Sequence, residues 1–312
     1  MVVTLLALAG GIVLLAFAAD QFVLGAARVA LIRRMPSLLV GVVIIGFGTS
    51  SPELLVSLLA AIDGQVEIAV GNVVGSNIAN LSLLLGVGAV VVPLTVGSTT
   101  VRREAPIAVA AAIAFMLAVQ GDGIATWEGV VLLVLLALAL WVVIRAPSAD
   151  PLGPETEELA DAVHHRLSIE VGRTVAGLVG TVAGAQLLLW GAIDVADLAG
   201  LSEGFVGATL VAVGTSLPEL VTVIQSARRR ETDLIVGNLL GSNLFNCLAV
   251  AGAVGLAGGS GLAGSQLTVL APLIAVGVAA LAWLAMATQR VVGRAEGIAL
   301  MVLYAAIIPV LA

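Results

Sequence analysis

Two glutamates sit where carboxylates are expensive. Glu53 closes Gly48-Thr49-Ser50-Ser51-Pro52-Glu53 and Glu219 closes Gly214-Thr215-Ser216-Leu217-Pro218-Glu219. The first segment lies inside an apolar stretch of roughly 25 residues, so Glu53 falls near the middle of a membrane-crossing length, too deep to reach water. Pro52 has no N–H to offer the Gly48 carbonyl, and its ring crowds the preceding turn. Carbonyls freed in lipid need a partner, and a bound cation is one. Thr49, Ser50 and the Glu53 carboxylate add hard oxygen atoms on the same short stretch. Ser76, Asn77 and Asn80, and again Ser242, Asn243 and Asn246, supply more. Ser76 and Asn80 are four apart and share one helix face. An all-oxygen set with no Cys or His suits Ca²⁺ or Na⁺ and argues against zinc or copper. Two carboxylates balance one Ca²⁺ or two Na⁺, which makes mutually exclusive occupancy reasonable.

These residues occur twice because the segment does. Residues 48–80 and 214–246 align at a shift of 166 with no gap, and 14 of the 33 positions are identical. The matches are mostly polar or backbone-special: Thr49/Thr215, Ser50/Ser216, Pro52/Pro218, Glu53/Glu219, Asn72/Asn238, Ser76/Ser242, Asn77/Asn243 and Asn80/Asn246. Upstream, Gly25 pairs with Gly191, Ala30 with Ala196 and Gly41 with Gly207. A kink and small-residue packing could explain the prolines and the Gly71/Gly75 and Gly237/Gly241 pairs. They do not explain the acids: a charge at a helix centre in lipid costs about 3 kcal/mol or more, so two at symmetric positions point to function. Asp20 and Asp194 lack that symmetry, Asp20 falling opposite Gln186, and read as helix contacts.

The elements that must position these groups are helices in lipid. The chain has 312 residues, 60% apolar and only 11% charged, against about 25% charged for a soluble domain. Apolar runs between polar breaks give about ten spans, at 4–30, 37–61, 68–92, 105–120, 126–144, 172–197, 204–226, 234–256, 267–287 and 295–311. The predicted fold is an all-α integral membrane protein of about ten transmembrane helices. Copies five spans apart run in opposite directions, so the halves form two inverted-topology repeats of five: 1–145, a linker at 146–170, and 171–312. Residues 1–20 resemble a signal peptide but lack a positive n-region, and the repeat needs them as its first span.

All 13 basic residues are Arg, and the ten-span count puts every one on the same side, whereas loops 63–67, 121–123 and 258–265 contain none. The positive-inside rule then places the linker in the cytoplasm and both termini outside, in a cell inner (plasma) membrane. The Pro- and acid-rich linker is too short for a folded sensor and reads as solvated chain, as does His164–His165 within it. The lone Cys247 excludes an internal disulfide. No basic tract with interleaved aromatics suggests nucleic acid, and nothing implies a protein partner or a cofactor.

GTSxPEL followed by GNxxGSNxxN, present in both halves, resembles the α-repeats of the cation/Ca²⁺ exchanger superfamily, most closely the prokaryotic sodium/calcium exchangers. The resemblance covers essentially the whole chain. It implies alternating-access antiport of Ca²⁺ against Na⁺, with no cofactor and no enzyme activity. It implies Ca²⁺ ligation by Glu53, Glu219 and the carbonyls of Thr49 and Thr215. It assigns Na⁺ to the two glutamates with Ser50, Ser76, Ser216 and Ser242 and the backbone of Gly46 and Ala212. Asn80 and Asn246 take the positions beside the centre. Some members, the potassium-dependent ones among them, carry Asp where Asn246 stands here, so two fixed charges instead of three argue against K⁺ co-transport. More than two Na⁺ per Ca²⁺ would make the cycle electrogenic. Proton/Ca²⁺ antiporters of the superfamily usually carry a different acidic motif and form the alternative; a cation channel ranks below it. A membrane-embedded hydrolase ranks last, for want of an intramembrane His, a paired intramembrane Asp motif or HExxH.

Overall fold

The computed structural model describes residues 2–33, 35, 37–145, 166–198, 212–262 and 266–311, and it is built almost wholly of helices. The first half contains α1 (Val2–Arg33), α2 (Leu38–Thr49), α3 (Ser51–Ile62), α4 (Val66–Val91), α5 (Ala105–Ala118) and α6 (Thr126–Arg145). The second contains α7 (Leu167–Leu198), α8 (Ala212–Thr215), α9 (Leu217–Arg228), α10 (Thr232–Leu256), α11 (Leu270–Gln289) and α12 (Arg294–Leu311). Five of these helices are each long and apolar enough to cross a membrane, and a bent pair, α2 with α3, makes up to six. Residues 146–165 of the linker expected at 146–170, its histidines and Gly207 lie outside the described residues, and α7 begins at Leu167, within the range expected for the linker.

Burial sorts the helices. α4 and α10, which carry the second part of each motif, are the most enclosed, with 78% and 83% of their apolar windows buried. Their positions Val73, Val74, Ile78, Leu239, Leu240 and Leu244 form the centre of the main apolar core. α6 is only 17% buried by the same measure and turns Trp127, Val134, Leu138 and Trp141 outward. Such an apolar exterior is costly in water and free in lipid.

Glycine sets how closely the helices approach. α1 and α7 pack antiparallel along their length: Gly177 meets Phe22, Gly184 meets Leu15 and Gly191 meets Leu8. α2 and α10 pack side by side in the same direction, backbone to backbone, through Gly41, Gly46, Gly237 and Gly241. This bears out the packing reading for Gly237 and Gly241. A Cβ on Gly71 would have one contact, at 3.8 Å, and one on Gly75 none within 4 Å among the described residues.

Two short sheets tie the halves together at the loops. β1 (Leu94–Thr95) pairs antiparallel with β4 (Val291–Val292), and β2 (Gly123–Ile124) with β3 (Gly259–Ser260). Gly123 has φ +121°, and a Cβ there would fall 2.0 Å from the Gly259 carbonyl oxygen, so the second pairing requires glycine. The 166-residue shift carries β1 next to β3 and β2 next to β4, so each sheet takes one strand from each half and the repeat exchanges the two sheets.

Asp20 and Asp194 make helix contacts, as expected. Asp20 Oδ1 accepts from Arg229 Nη2 at 2.5 Å, and Asp194 accepts from the Thr4 hydroxyl. Cys247 is buried among apolar side chains.

Candidate functional site

Each half breaks a helix at the serine two residues before its proline. Ser50 (φ −82°, ψ 5°) and Ser216 (φ −89°, ψ 5°) leave helical geometry. α2 and α3 meet there at a bend of 43°. Pro52 and Pro218 occupy the first turns of α3 and α9, where a missing N–H costs nothing, so proline restarts a helix that it could not have continued. Glu53 and Glu219 sit in those same first turns, where unpaired N–H groups favour negative charge.

The two breaks face each other, and the contacts cross between halves. Ser50 Oγ donates to Glu219 Oε1 at 3.3 Å, while Ser216 Oγ donates to Glu53 Oε1 at 3.4 Å. Both glutamates are fully enclosed, at 1% and 0% exposure. Glu53 Oε2 and Glu219 Oε2 are buried with no hydrogen-bond partner among the described residues.

The other buried acids show what a structural carboxylate does in this fold. Glu170 pairs with Arg28 at 3.3 Å and Arg173 at 3.0 Å, and Glu104 pairs with Arg103. Among the described residues no arginine reaches Glu53 or Glu219. Two uncompensated charges in a dry core are strongly unfavourable, and a cation between them removes the penalty.

Of the remaining expected residues, Thr49, Thr215 and Ser242 make contacts at the helix breaks. Thr49 and Thr215 are buried at the helix breaks, and their hydroxyls contact Asn238 Oδ1 at 3.1 Å and Asn72 Oδ1 at 3.4 Å. Ser242 Oγ lies 3.3 Å from the Gly46 carbonyl oxygen and 3.4 Å from Thr49 Oγ1. Ser76 is buried on α4 at the position that repeats Ser242. Ala212 is the first residue of α8. Asn80 and Asn246 are buried, and both polar atoms of each amide lack a hydrogen-bond partner among the described residues.

Two features were not legible in the sequence. A π-helical turn begins at each central asparagine, Asn80–Leu84 in α4 and Asn246–Val250 in α10. Such turns widen a helix locally and recur at functional sites. The second is the role of Asn72 and Asn238, visible as repeat matches without an assigned task. Each amide links its own half to the other half's threonine.

The chain matches the model of the sodium/calcium exchanger protein family over residues 3–145 and 170–311. It belongs to that family. The exchanger's relatives include the putative antiporter CaxA of Alkalimonas amylolytica, 37% identical over 78% of this chain and 77% of that protein. The sodium/calcium exchanger MaX1 of Methanosarcina acetivorans is 27% identical over 96% of both chains. Among solved structures, the sodium-calcium exchanger NCX_Mj soaked with 10 mM Na⁺ and zero Ca²⁺ superposes with a TM-score of 0.86 at 28% identity, covering 100% of this chain and 99% of the other. The family is one of exchangers and not of enzymes.

Proposed function

We propose that this exchanger is a secondary active antiporter that moves Ca²⁺ against Na⁺ by alternating access, electrogenically and without K⁺. The observation that carries the reading is the pair of buried carboxylates that no arginine reaches among the described residues, each bonded to the serine of the opposite half. Ca²⁺ takes 6–8 oxygens. Glu53, Glu219 and the Thr49 and Thr215 carbonyls are its ligands here. Na⁺ takes the flanking oxygens of Ser50, Ser76, Ser216 and Ser242, the Gly46 and Ala212 carbonyls, and the same two carboxylates. Shared carboxylates make the two loads exclude one another, and exclusion is what couples their fluxes.

The same reading makes 1–145 and 171–312 inverted repeats of five spans joined by a cytoplasmic linker, with both termini outside the inner (plasma) membrane. Antiparallel α1 and α7 support it, because they are the first helices of the two halves. The exchanged sheets support it too: a two-fold axis in the membrane plane would put β1–β4 on one side and β2–β3 on the other. α4 and α10 must then pass each other at the bilayer centre, with Asn80 and Asn246 beside the carboxylates.

The test is a flux assay in proteoliposomes. An outward Na⁺ gradient is expected to drive Ca²⁺ uptake, unchanged when K⁺ is replaced by choline; uptake driven as well by a proton gradient without Na⁺ would overturn Na⁺ coupling. With three Na⁺ leaving per Ca²⁺, one net positive charge exits. An imposed interior-positive potential of 100 mV is worth about 2.3 kcal/mol per charge, which raises the equilibrium Ca²⁺ accumulation roughly 50-fold. A potential-insensitive plateau would show a two-for-one cycle. Asn246→Asp is expected to add a third fixed charge and make transport depend on an additional monovalent cation, read as a new K⁺ or H⁺ requirement in the same assay.

A further inference from the structure

A repeated sequence implies repeated contacts, so a contact made in one copy only marks where the halves differ. α1 and α7 are tied to each other in both copies. Glu170 on α7 pairs with Arg28 on α1, and Thr4 on α1 bonds Asp194 on α7. The 166-residue shift carries Thr4 to Glu170 and Arg28 to Asp194, so these are one contact and its repeat. Arg173 on α7 also donates to Gln21 Oε1 on α1. The two helices form one body with matching ends.

The contacts that this body makes with α9 are one-sided. Gln225 Nε2 donates to the Ala16 carbonyl oxygen at 3.3 Å. One turn further, at the end of α9, Arg229 donates to Asp20 Oδ1 from Nε at 3.1 Å and from Nη2 at 2.5 Å. The repeat sets Leu59 in place of Gln225, Val182 in place of Ala16, Asp63 in place of Arg229 and Gln186 in place of Asp20. Leu59 has no proton to give, and Gln186 has no charge to pair with Asp63. These positions are also uncovered: Leu59 is 51% exposed where Gln225 is 8% exposed, and Asp63 and Gln186 are both exposed. α1 covers one face of α9, and the matching face of α3 is bare.

We infer that Asp20 and Arg229 form a one-sided latch that closes the exchanger on the face carrying Arg229 and sets the balance between its two open states. The inference rests on the alternating-access reading above. With inverted repeats, the second state arises when the halves exchange arrangements, so that α7 lies against α3. That state sets Gln186 beside Asp63 and Val182 beside Leu59, and it has no counterpart to the ion pair. A contact made in one state only stabilises that state, so the latch favours the conformation described here. About a third of each side chain is exposed, at 31% and 33%, and solvent screening holds the bias to about two- to fivefold.

Ca²⁺/Ca²⁺ self-exchange in right-side-out and inside-out vesicles tests it, because each preparation titrates one face. Apparent affinity at a face scales with the fraction of protein open to it. Asp20→Asn or Arg229→Gln is expected to lower the half-saturating Ca²⁺ at the Arg229 face about two- to fivefold. The opposite face, already the favoured one, should change much less. Asp20→Arg combined with Arg229→Asp restores the pair and is expected to return the unmodified value. Gln186→Asp combined with Asp63→Arg writes the pair into the other half, and should shift the balance in the same direction as breaking the original. Half-saturating Ca²⁺ unmoved at both faces in all of these variants would overturn the latch. So would an equal rise at both faces, or a shift that the charge swap leaves in place, because the pair would then brace the fold without choosing a face. An unmodified protein with no self-exchange from either side sinks the alternating-access reading itself, a result separate from these.

Discussion

Glu53→Gln or Glu219→Gln is expected to abolish Na⁺-driven Ca²⁺ uptake while leaving the protein folded. Glutamine keeps the shape of the side chain and an acceptor for the serine opposite, Ser216 for Glu53 and Ser50 for Glu219. What it removes is one of two fixed charges in a site with almost no exposure. Breaking a buried charge pair by deleting one partner costs about 3–5 kcal/mol, which is on the order of 10²–10⁴ in Ca²⁺ affinity. The ion-free protein should respond with the opposite sign. Two enclosed carboxylates that find no arginine among the described residues weaken the fold, so either substitution relieves strain at the cost of function. Thermal unfolding in detergent and chelator is expected to occur at the same or a higher temperature in the Gln variants. Added Ca²⁺ should stabilise the unmodified protein by mass action and leave the variants unmoved. A Gln variant that still takes up Ca²⁺ at near-normal rates would remove the glutamates from the site.

How much of this was readable without a structure depends on the physical scale of each feature. The glutamates were legible because a charge in a long apolar run is an energetic anomaly at the level of single residues. Helix limits were legible for the same reason: α4 was expected over 68–92 and spans Val66–Val91, and α10 was expected over 234–256 and spans Thr232–Leu256. The break at Ser50 could be placed from Pro52, and its repeat at Ser216 followed from the register. The π turns at Asn80 and Asn246 left no trace, because a helix widened by one residue needs no different composition. Four-residue α8 shows the other limit, since residues 204–211 of the span expected at 204–226 lie outside the described residues. The cross-over of serines and the hold of Asn238 on Thr49 are contacts 169, 163 and 189 residues apart in the chain. The repeat said that both halves carry the same groups. It could not say that each half completes the other's site.

That mutual completion depends on backbone contact, and glycine is where it can be broken. A Cβ on Gly241 would lie 2.4 Å from the Val42 carbonyl oxygen and 2.7 Å from the Val42 Cα, and one on Gly237 would lie 2.5 Å from the Leu38 carbonyl oxygen. These neighbours are backbone atoms, so no rotamer change can make room. Gly241→Val must push α2 away from α10, and overpacking of this kind costs about 1–3 kcal/mol or more. Stability is the smaller loss. The same displacement carries the Gly46 carbonyl away from Ser242, 3.3 Å distant in the intact protein, and Thr49 away from Asn238. Na⁺-driven uptake is expected to fall by at least about tenfold, since misplacing a site by an ångström is enough to cost that much and more. Gly277→Ala supplies the control. Gly277 lies in α11, and a Cβ there meets nothing within 4 Å among the described residues. Alanine in a helix interior is favoured over glycine by about 0.5–1 kcal/mol, so this variant is expected to transport normally and melt no lower. If Gly241→Val and Gly277→Ala exchange Ca²⁺ equally well, the close seam between α2 and α10 is not what holds the two half-sites in register.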